Sequence, residues 1–170
     1  MRKEQGFSLI ELLIVVAIIA IIAAIAVPSM LTSRMAANEA SAIQGCRTIG
    51  SAEVAYAAVN NQTFTDLAGL VEGHFLDARY TSGGFNGYKY SEGAVTNGTA
   101  FSEDIEGFLA EPITADSTGR YKYGIGADLV VRYMGEAGSA DPAKCGPDDC
   151  QAGDPIGSAG SSGSGSGSGS

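Results

Sequence analysis

The chain has 170 residues and a formal net charge of −9, and apolar residues make up 45% of it. An acidic chain argues against nucleic acid or anionic lipid as the main partner, because both are themselves negatively charged. Its length is sufficient for one domain of ordinary size. The apolar content is unevenly distributed, since from residue 7 to residue 27 only Ser8 and Glu11 are not apolar.

No recognised nucleophile or nucleotide-binding motif is present in the sequence. It has no Gly-x-Ser-x-Gly and no Walker loop, and His74 is its single histidine. This histidine follows Gly73 in a predicted loop, so we expect neither a metal-binding nor a general-base role for it. We therefore predict that the chain is not an enzyme.

The apolar run near the N-terminus has the length of a membrane span. About 20 helical residues, each rising about 1.5 Å, cross the hydrocarbon core of a bilayer. Arg2 and Lys3 precede the run, and no further Lys or Arg occurs until Arg34. The positive-inside rule therefore predicts a cytoplasmic N-terminus and a single span that sends the rest of the chain outward.

Two other interpretations of this run remain open. In one, it is an ordinary secretory signal removed after Ala24-Ile25-Ala26, which has the small-x-small pattern of a cleavage site. The run is longer than such a signal needs and passes directly into a helical pattern. In the other, it is a simple membrane anchor, which leaves the acidic Glu11 unexplained.

Glu11 is the most informative residue of the run. A charged side chain inside a span costs about 2.5–3.5 kcal/mol on insertion scales, so it normally has a partner. No basic residue lies within the next two helical turns. If the chain is cut between Gly6 and Phe7, a new charged amine appears four residues before Glu11. That amine supplies a counter-charge, either in the same chain or at the end of a neighbouring copy.

These N-terminal residues resemble the class III signal of type IV pilins and type II secretion pseudopilins. The resemblance rests on the apolar run, Pro28 and the sequence Gly6-Phe7-Ser8-Leu9-Ile10-Glu11-Leu12-Leu13. It implies that a prepilin peptidase cuts after Gly6 and that Phe7 is N-methylated. It further implies that Glu11 contacts the N-terminal amine of a neighbouring subunit during assembly.

Pro28 interrupts the predicted N-terminal helix. A proline inside a helix removes one backbone hydrogen bond and kinks the segment. The family resemblance likewise implies a bend or local melting at Pro28. The alternative is that the helix ends at Pro28, at the membrane surface.

The residues from 29 to about 59 predict an amphipathic helix. At 100° per residue one side is mostly apolar and the other mostly polar, with Glu39 and Glu53 near the edge of the apolar side. The apolar side carries Met35, Ala42, Ile43, Cys46, Ile49, Gly50, Val54 and Ala57. We expect Cys46 to pack there as a small apolar residue.

Beyond this helix the pattern changes to short strands separated by turns. A short helix over residues 65–70, capped by Thr65 or Asp66, precedes four predicted strands at 87–90, 107–113, 121–125 and 129–133. Alternation of Tyr121, Tyr123 and Ile125 indicates an antiparallel sheet with one covered face. We predict an α+β fold in which the amphipathic half of a long N-terminal helix packs on about four strands, with the tyrosines in the core.

This order of elements also resembles the globular head of small pilins and pseudopilins, more loosely than the N-terminus does and as far as about residue 134. The predicted organisation is a leader at 1–6, a transmembrane and assembly helix at 7–30, and a head at 31–134. A C-terminal loop at 135–156 and a Gly/Ser-rich tail at 157–170 follow.

The C-terminal loop contains two cysteines around a turn. Cys145 and Cys150 enclose Gly-Pro-Asp-Asp, a spacing that permits a disulfide in an oxidising compartment. A metal site built from these cysteines and nearby carboxylates is the alternative, although no second Cys or His pair supports it. Otherwise we expect no cofactor.

The sequence thus predicts a structural subunit of a type IV pilus-like filament. Its expected partners are further copies of itself, prepilin peptidase, the membrane, and the inner-membrane assembly machinery for a pilus or for secretion. We expect it in the inner membrane before assembly, and in a surface pilus or periplasmic filament afterwards. One alternative is a type II secretion pseudopilin. Resemblance to that family implies calcium in the loop after the sheet, with oxygen ligands from Asp141, Asp148, Asp149 and Asp154. The other is a secreted or membrane-anchored binding protein.

Overall fold

The computed structural model describes residues 7–138 and 153–156. The chain divides into two compact units, with the boundary between Arg34 and Met35. Two helices and one short 3-10 helix come first, as α1 (Leu9–Val59), α2 (Leu67–Glu72) and η1 (Ala78–Tyr80). Four strands follow, as β1 (Tyr88–Glu92), β2 (Phe108–Pro112), β3 (Tyr121–Ile125) and β4 (Val131–Glu136). The predicted α+β fold is confirmed.

The four strands form one antiparallel sheet in the order β1-β2-β3-β4. Ala110 of β2 lies between Tyr90 of β1 and Tyr123 of β3. Beyond β4, the described C-terminal residues continue the hydrogen bonding, since the amide of Ile156 donates to the carbonyl of Val131 at 2.9 Å. The C-terminal stretch predicted as a loop therefore includes a part that lies against the sheet edge.

The second half of α1 covers one face of this sheet. Ala42, Cys46 and Ile49 are fully buried there, together with Tyr88 and Phe108 from the strands. Small residues allow the close approach, because a Cβ added at Gly45 would lie 2.2 Å from the Tyr90 hydroxyl. The predicted packing of helix on sheet is confirmed, and burial of this apolar surface is the main source of stability for the second unit.

The predicted apolar side of α1 is correct for most of its residues and wrong for two positions. Val54 is 48% exposed, whereas Glu53, which we placed near the edge, is fully buried. Glu39 does lie at the edge, where its carboxylate accepts a hydrogen bond from the amide of Arg120 at 2.9 Å. A helical projection gives the direction of a side chain and not the depth of the surface that covers it.

The predicted strands lie within a few residues of the observed ones. β3 matches its prediction fully, but β4 begins at Val131 rather than at residue 129. Leu129 has a φ of +58° and belongs to the turn before β4, whose geometry its apolar side chain gave no reason to expect. α2 begins after Asp66, whose carboxylate caps it by accepting from the amide of Gly69 at 2.7 Å.

The tyrosines pack in the core, as predicted. Tyr88 and Tyr123 lie on neighbouring parts of the covered face with ring centroids 6.1 Å apart. The Tyr88 hydroxyl donates to the carbonyl of Tyr121 at 2.8 Å, so its polar end is satisfied. This arrangement leaves both rings unavailable for stacking on a ligand.

Candidate assembly site

Helix α1 begins with a side-chain cap at its first turn. The backbone amide of Ser8 donates to the Glu11 carboxylate at 3.0 Å. Ser8 precedes the first helical residue, so this contact is one half of a capping box, in which an acid three residues on satisfies the amide of the N-cap. The sequence carries the signal, Ser-x-x-Glu, but we considered only a counter-charge for Glu11 and not its role as a helix cap.

The side chains that follow present an apolar surface on every side of the helix. The large hydrophobic residues from Phe7 to Leu31 are between 48% and 89% exposed. Burial of such a surface in lipid or against other helices is favoured by about 25 cal/mol per Å². An uncovered apolar segment of this size therefore requires a membrane or further protein around it.

Along the described chain, α1 is the one helix that is long and apolar enough to cross a membrane. Its most apolar window has a mean hydropathy of 3.2, and none of that window is buried. The core helix of a soluble protein can be as apolar but is mostly buried. The exposed N-terminal part of α1 thus suggests membrane anchoring.

Pro28 lies inside α1 and does not end it. The helix continues to Val59, so the alternative of a helix end at the membrane surface is wrong. The Thr32 hydroxyl donates to the carbonyl of Pro28 at 3.3 Å, and the Ser33 hydroxyl donates to the carbonyl of Ser29 at 2.9 Å. Hydroxyls that bond back to the preceding turn are often found where a helix bends. The predicted kink at Pro28 stays a prediction.

Polar contacts fix the head to the first turns of the covered part of α1. The Asn38 amide donates to the carbonyl of Thr118 at 2.8 Å, and the Asn86 amide donates to the Ser41 hydroxyl at 2.8 Å. These partners come from the loops around Gly87 and Gly119. Both loops therefore hold the first turns of the part of α1 that the head covers.

Glu53 is a buried acid that the sequence did not identify as unusual. Its side chain is fully buried on α1, and one carboxylate oxygen accepts from the amide of Thr65 at 3.4 Å. Burial raises the pKa of Glu53 to about 7, the Thr65 amide opposes that shift, and the nearby Asp66 carboxylate adds to it. Its place in the helical repeat beside Ile49 and Ala57 indicates only that it points towards the head, and not that the head covers it fully.

Of the remaining predicted site residues, some lie in the described part of the chain and others lie outside it. Phe7 is 89% exposed at the beginning of the described chain, whereas Gly6, Cys145 and Cys150 lie outside the described residues. The predicted cleavage, N-methylation and disulfide therefore stay predictions. Of the four aspartates considered for calcium, Asp154 alone lies within the described part.

The structure gives no support for a metal site where it describes the chain. No group of three or more His, Cys, Asp or Glu residues converges within residues 7–138 and 153–156. His74 lies in a turn with a φ of +62°, apart from any such group. The calcium alternative depends on aspartates that lie largely outside this part and stays a prediction.

The described chain combines a helix whose N-terminal part is apolar and exposed with an α+β head. Residues 1–27 match the prokaryotic N-terminal methylation motif, the signature of the class III signal peptides of type IV pilins and pseudopilins. The motif is typical of structural pilin-type proteins rather than of an enzyme family. No curated protein and no solved structure matches the chain.

Proposed function

We propose that this protein is a structural subunit of a type IV pilus-like filament, assembled through the apolar N-terminal half of α1. The main observation in support of this proposal is that the two parts of α1 have different surfaces. Residues 9–31 expose apolar side chains all round, whereas residues 35–57 bury the apolar side chains of one side against a folded head. The first part can be covered by lipid before assembly and by the same part of other copies afterwards, while the head stays folded throughout.

Processing by prepilin peptidase is a part of this proposal. The peptidase cuts between Gly6 and Phe7, and N-methylation of Phe7 follows. The methylation motif at residues 1–27 supports this step, because pilin-type motifs imply such processing in general. The cut removes Arg2 and Lys3, the basic residues that precede the span, and creates a new amine at its edge.

Glu11 then becomes the residue that directs assembly. Its carboxylate already accepts from the Ser8 amide through one oxygen, and the second oxygen has no partner among the described residues. In a medium of low dielectric constant, an amine of opposite charge stabilises such a carboxylate far more than it does in water. The Phe7 amine of a neighbouring copy is the partner that we propose.

The mature N-terminus is the measurement that tests this function most directly. Mass spectrometry of the protein from its native membrane should find a chain that begins at N-methylated Phe7. A chain that begins after Ala26 would instead identify an ordinary secretory signal. A chain that retains Met1 in filaments would contradict processing before assembly.

The same motif is found in pseudopilins, so a type II secretion pseudopilin is the second function within this class. The two functions differ in the predicted role of calcium. If the head binds calcium, its melting temperature should rise on addition of calcium and fall with a chelator. An unchanged melting temperature favours the pilus subunit.

A further inference from the structure

The second unit contains a buried acid for which the proposed function has no role. Glu53 lies on the face of α1 that the head covers, with its side chain fully buried. One of its oxygens accepts from the Thr65 amide at the long distance of 3.4 Å, and the other has no hydrogen-bond donor. A buried carboxylate with one unsatisfied oxygen is costly when it is ionised and much less so when it is protonated.

The charged group that lies close to Glu53 is also acidic. Asp66 caps α2 and faces Glu53 from the connection between the helices, and Glu92 of β1 accepts from the amide of Leu67 at 3.0 Å. None of these three acids forms an ion pair with a Lys or Arg in the part of the chain that the structure describes. On α1 itself, Cys46 lies two turns before Glu53 and carries a neutral thiol.

We propose that protonation of Glu53 stabilises a closed state, in which the segment 60–73, including α2, lies against the end of α1. In the open state this segment has moved away from Glu53. The Thr65 amide, at the centre of this segment, donates to Glu53, so the segment is part of the cover that keeps water from the carboxylate. Loss of the proton leaves a charge beside Asp66 in a site without a cation. Opening of the segment then lets water reach the carboxylate, and the released proton passes to solvent.

The direction of the pH effect follows from the raised pKa. In the closed state burial raises the pKa of Glu53 to about 7, whereas in an open, hydrated state it returns towards its usual value of 4.5. The closed state is therefore favoured most strongly below the lower value, and this advantage is lost as the pH rises through the higher one. Between pH 5 and pH 8 the ratio of open to closed molecules should rise by roughly one to two orders of magnitude through this group alone.

The test is carried out on the full chain in detergent micelles. Two quantities are measured, the pKa of Glu53 and the opening of the segment 60–73. Carbon-13 NMR of labelled glutamate carboxyl groups gives the pKa of Glu53, with Glu53→Gln used to assign its signal. Hydrogen exchange of the Leu70 and Gly73 amides, corrected for the intrinsic pH dependence, gives the opening of the segment. Both amides donate within this segment, to the carbonyls of Asp66 and Gly69. The matched control is Glu72→Gln, which neutralises an exposed acid of α2.

We expect a pKa near 7 for Glu53, and protection of the two amides that falls as the pH rises. The fall should persist in Glu72→Gln and disappear in Glu53→Gln. A pKa below about 5, or an equal fall in the Glu53→Gln protein, overturns the proposal. If Glu53→Gln does not fold, the titration of the unmodified protein decides alone, with its signal assigned through Glu53→Asp. Neither readout depends on filament assembly, so the outcome is independent of the proposed function.

Discussion

The backbone amide of Ser8 donates to the carboxylate of Glu11 at 3.0 Å, so the acid in the apolar run is also the cap of its helix. A cap and a counter-charge for an amine make different demands on the side chain at position 11. A cap needs only an acceptor oxygen, which a glutamine also provides. A partner for a charged amine needs the negative charge.

Glu11→Gln therefore separates the two roles. If the charge pair directs assembly, this variant should insert into the membrane and be processed normally, yet form few or no filaments. If Glu11 acts only as a cap, the variant should assemble as the unmodified protein does. The measurement is the yield of sheared filaments relative to the amount of processed subunit in the membrane. Glu11→Val serves as the second variant, since it removes both the acceptor and the charge.

Normal filament yield from both Glu11 variants would contradict the pairing of Glu11 with the Phe7 amine. An exposed acid in the head provides the control for charge alone. Glu72→Gln changes the net charge by the same amount, and its filament yield should match that of the unmodified protein. Comparison of Glu11→Gln with Glu72→Gln shows whether filament yield depends on the charge at position 11 or only on the net charge of the protein.

Much of this fold could be predicted from the sequence because it depends on local patterns. The helical repeat of small and apolar residues around Cys46 and Ile49 predicts the covered face of α1, and alternation predicts β3 over Tyr121–Ile125. The Ser8–Glu11 cap was equally local and could have been read from its spacing. The proposed functional class rests on the N-terminal motif, which is also a short local pattern.

The features that could not be predicted depend on contacts between distant parts of the chain. Glu53 is buried because residues 65–66 and the head close over it, which no helical projection shows. Ile156 pairs with Val131 across a long separation, without an alternating pattern to indicate a strand. Leu129 adopts a positive φ in a turn for which glycine or asparagine is the usual signal.

A close contact between two loops makes Gly126 sensitive to substitution. A Cβ at this position would lie 2.5 Å from the backbone carbonyl oxygen of Thr99, and a backbone atom cannot move aside as a side chain can. Gly126→Ala should therefore lower the free energy of unfolding by about 1–3 kcal/mol, the usual cost of overpacking. Thermal unfolding of the full chain in micelles, followed by near-UV circular dichroism, measures this change.

Gly124→Ala is the matched control for that substitution. Its nearest contacts are atoms of the Met134 and Leu109 side chains at 3.0 and 3.1 Å, which can rotate to make room. We expect a clearly smaller loss of stability than for Gly126→Ala. Equal losses in the two proteins would show that the contact with Thr99 has no special importance.

The turn before β4 depends on a partly buried ion pair. The Arg132 guanidinium donates to the Asp128 carboxylate at 2.9 Å, and its side chain is only 10% exposed. Asp128→Asn should destabilise the head by about 2–4 kcal/mol, because it leaves a poorly solvated charge without its counter-charge. Thermal unfolding at neutral pH measures the loss. Asp77→Asn should have little effect, because the pair of Asp77 with Arg79 is exposed to solvent.

The same pair makes a defined contribution to the pH dependence of stability. The hydrogen bond from Arg132 lowers the pKa of Asp128 below its usual value of 3.8. The ion pair therefore stabilises the folded head fully above pH 3.8, and this stabilisation is lost as the pH falls through the lowered pKa of Asp128 in the folded state. In Asp128→Asn the acid side of the stability profile should be flatter than in the unmodified protein. If stability falls equally at acid pH in both proteins, the ion pair does not contribute to the pH dependence.

Cys46 should be unreactive while the head is folded. Its side chain is fully buried, and burial raises the pKa of its thiol to about 12, so almost no thiolate is present at neutral pH. Iodoacetamide at pH 8 should leave Cys46 unmodified over hours and modify it within minutes in denaturant, as peptide mass spectrometry can show for this one position. Rapid modification of Cys46 in the folded protein would mean that the contact between α1 and the sheet opens frequently. Ser51→Cys provides the control, since residue 51 lies on the exposed side of the same helix and its thiol should react at once.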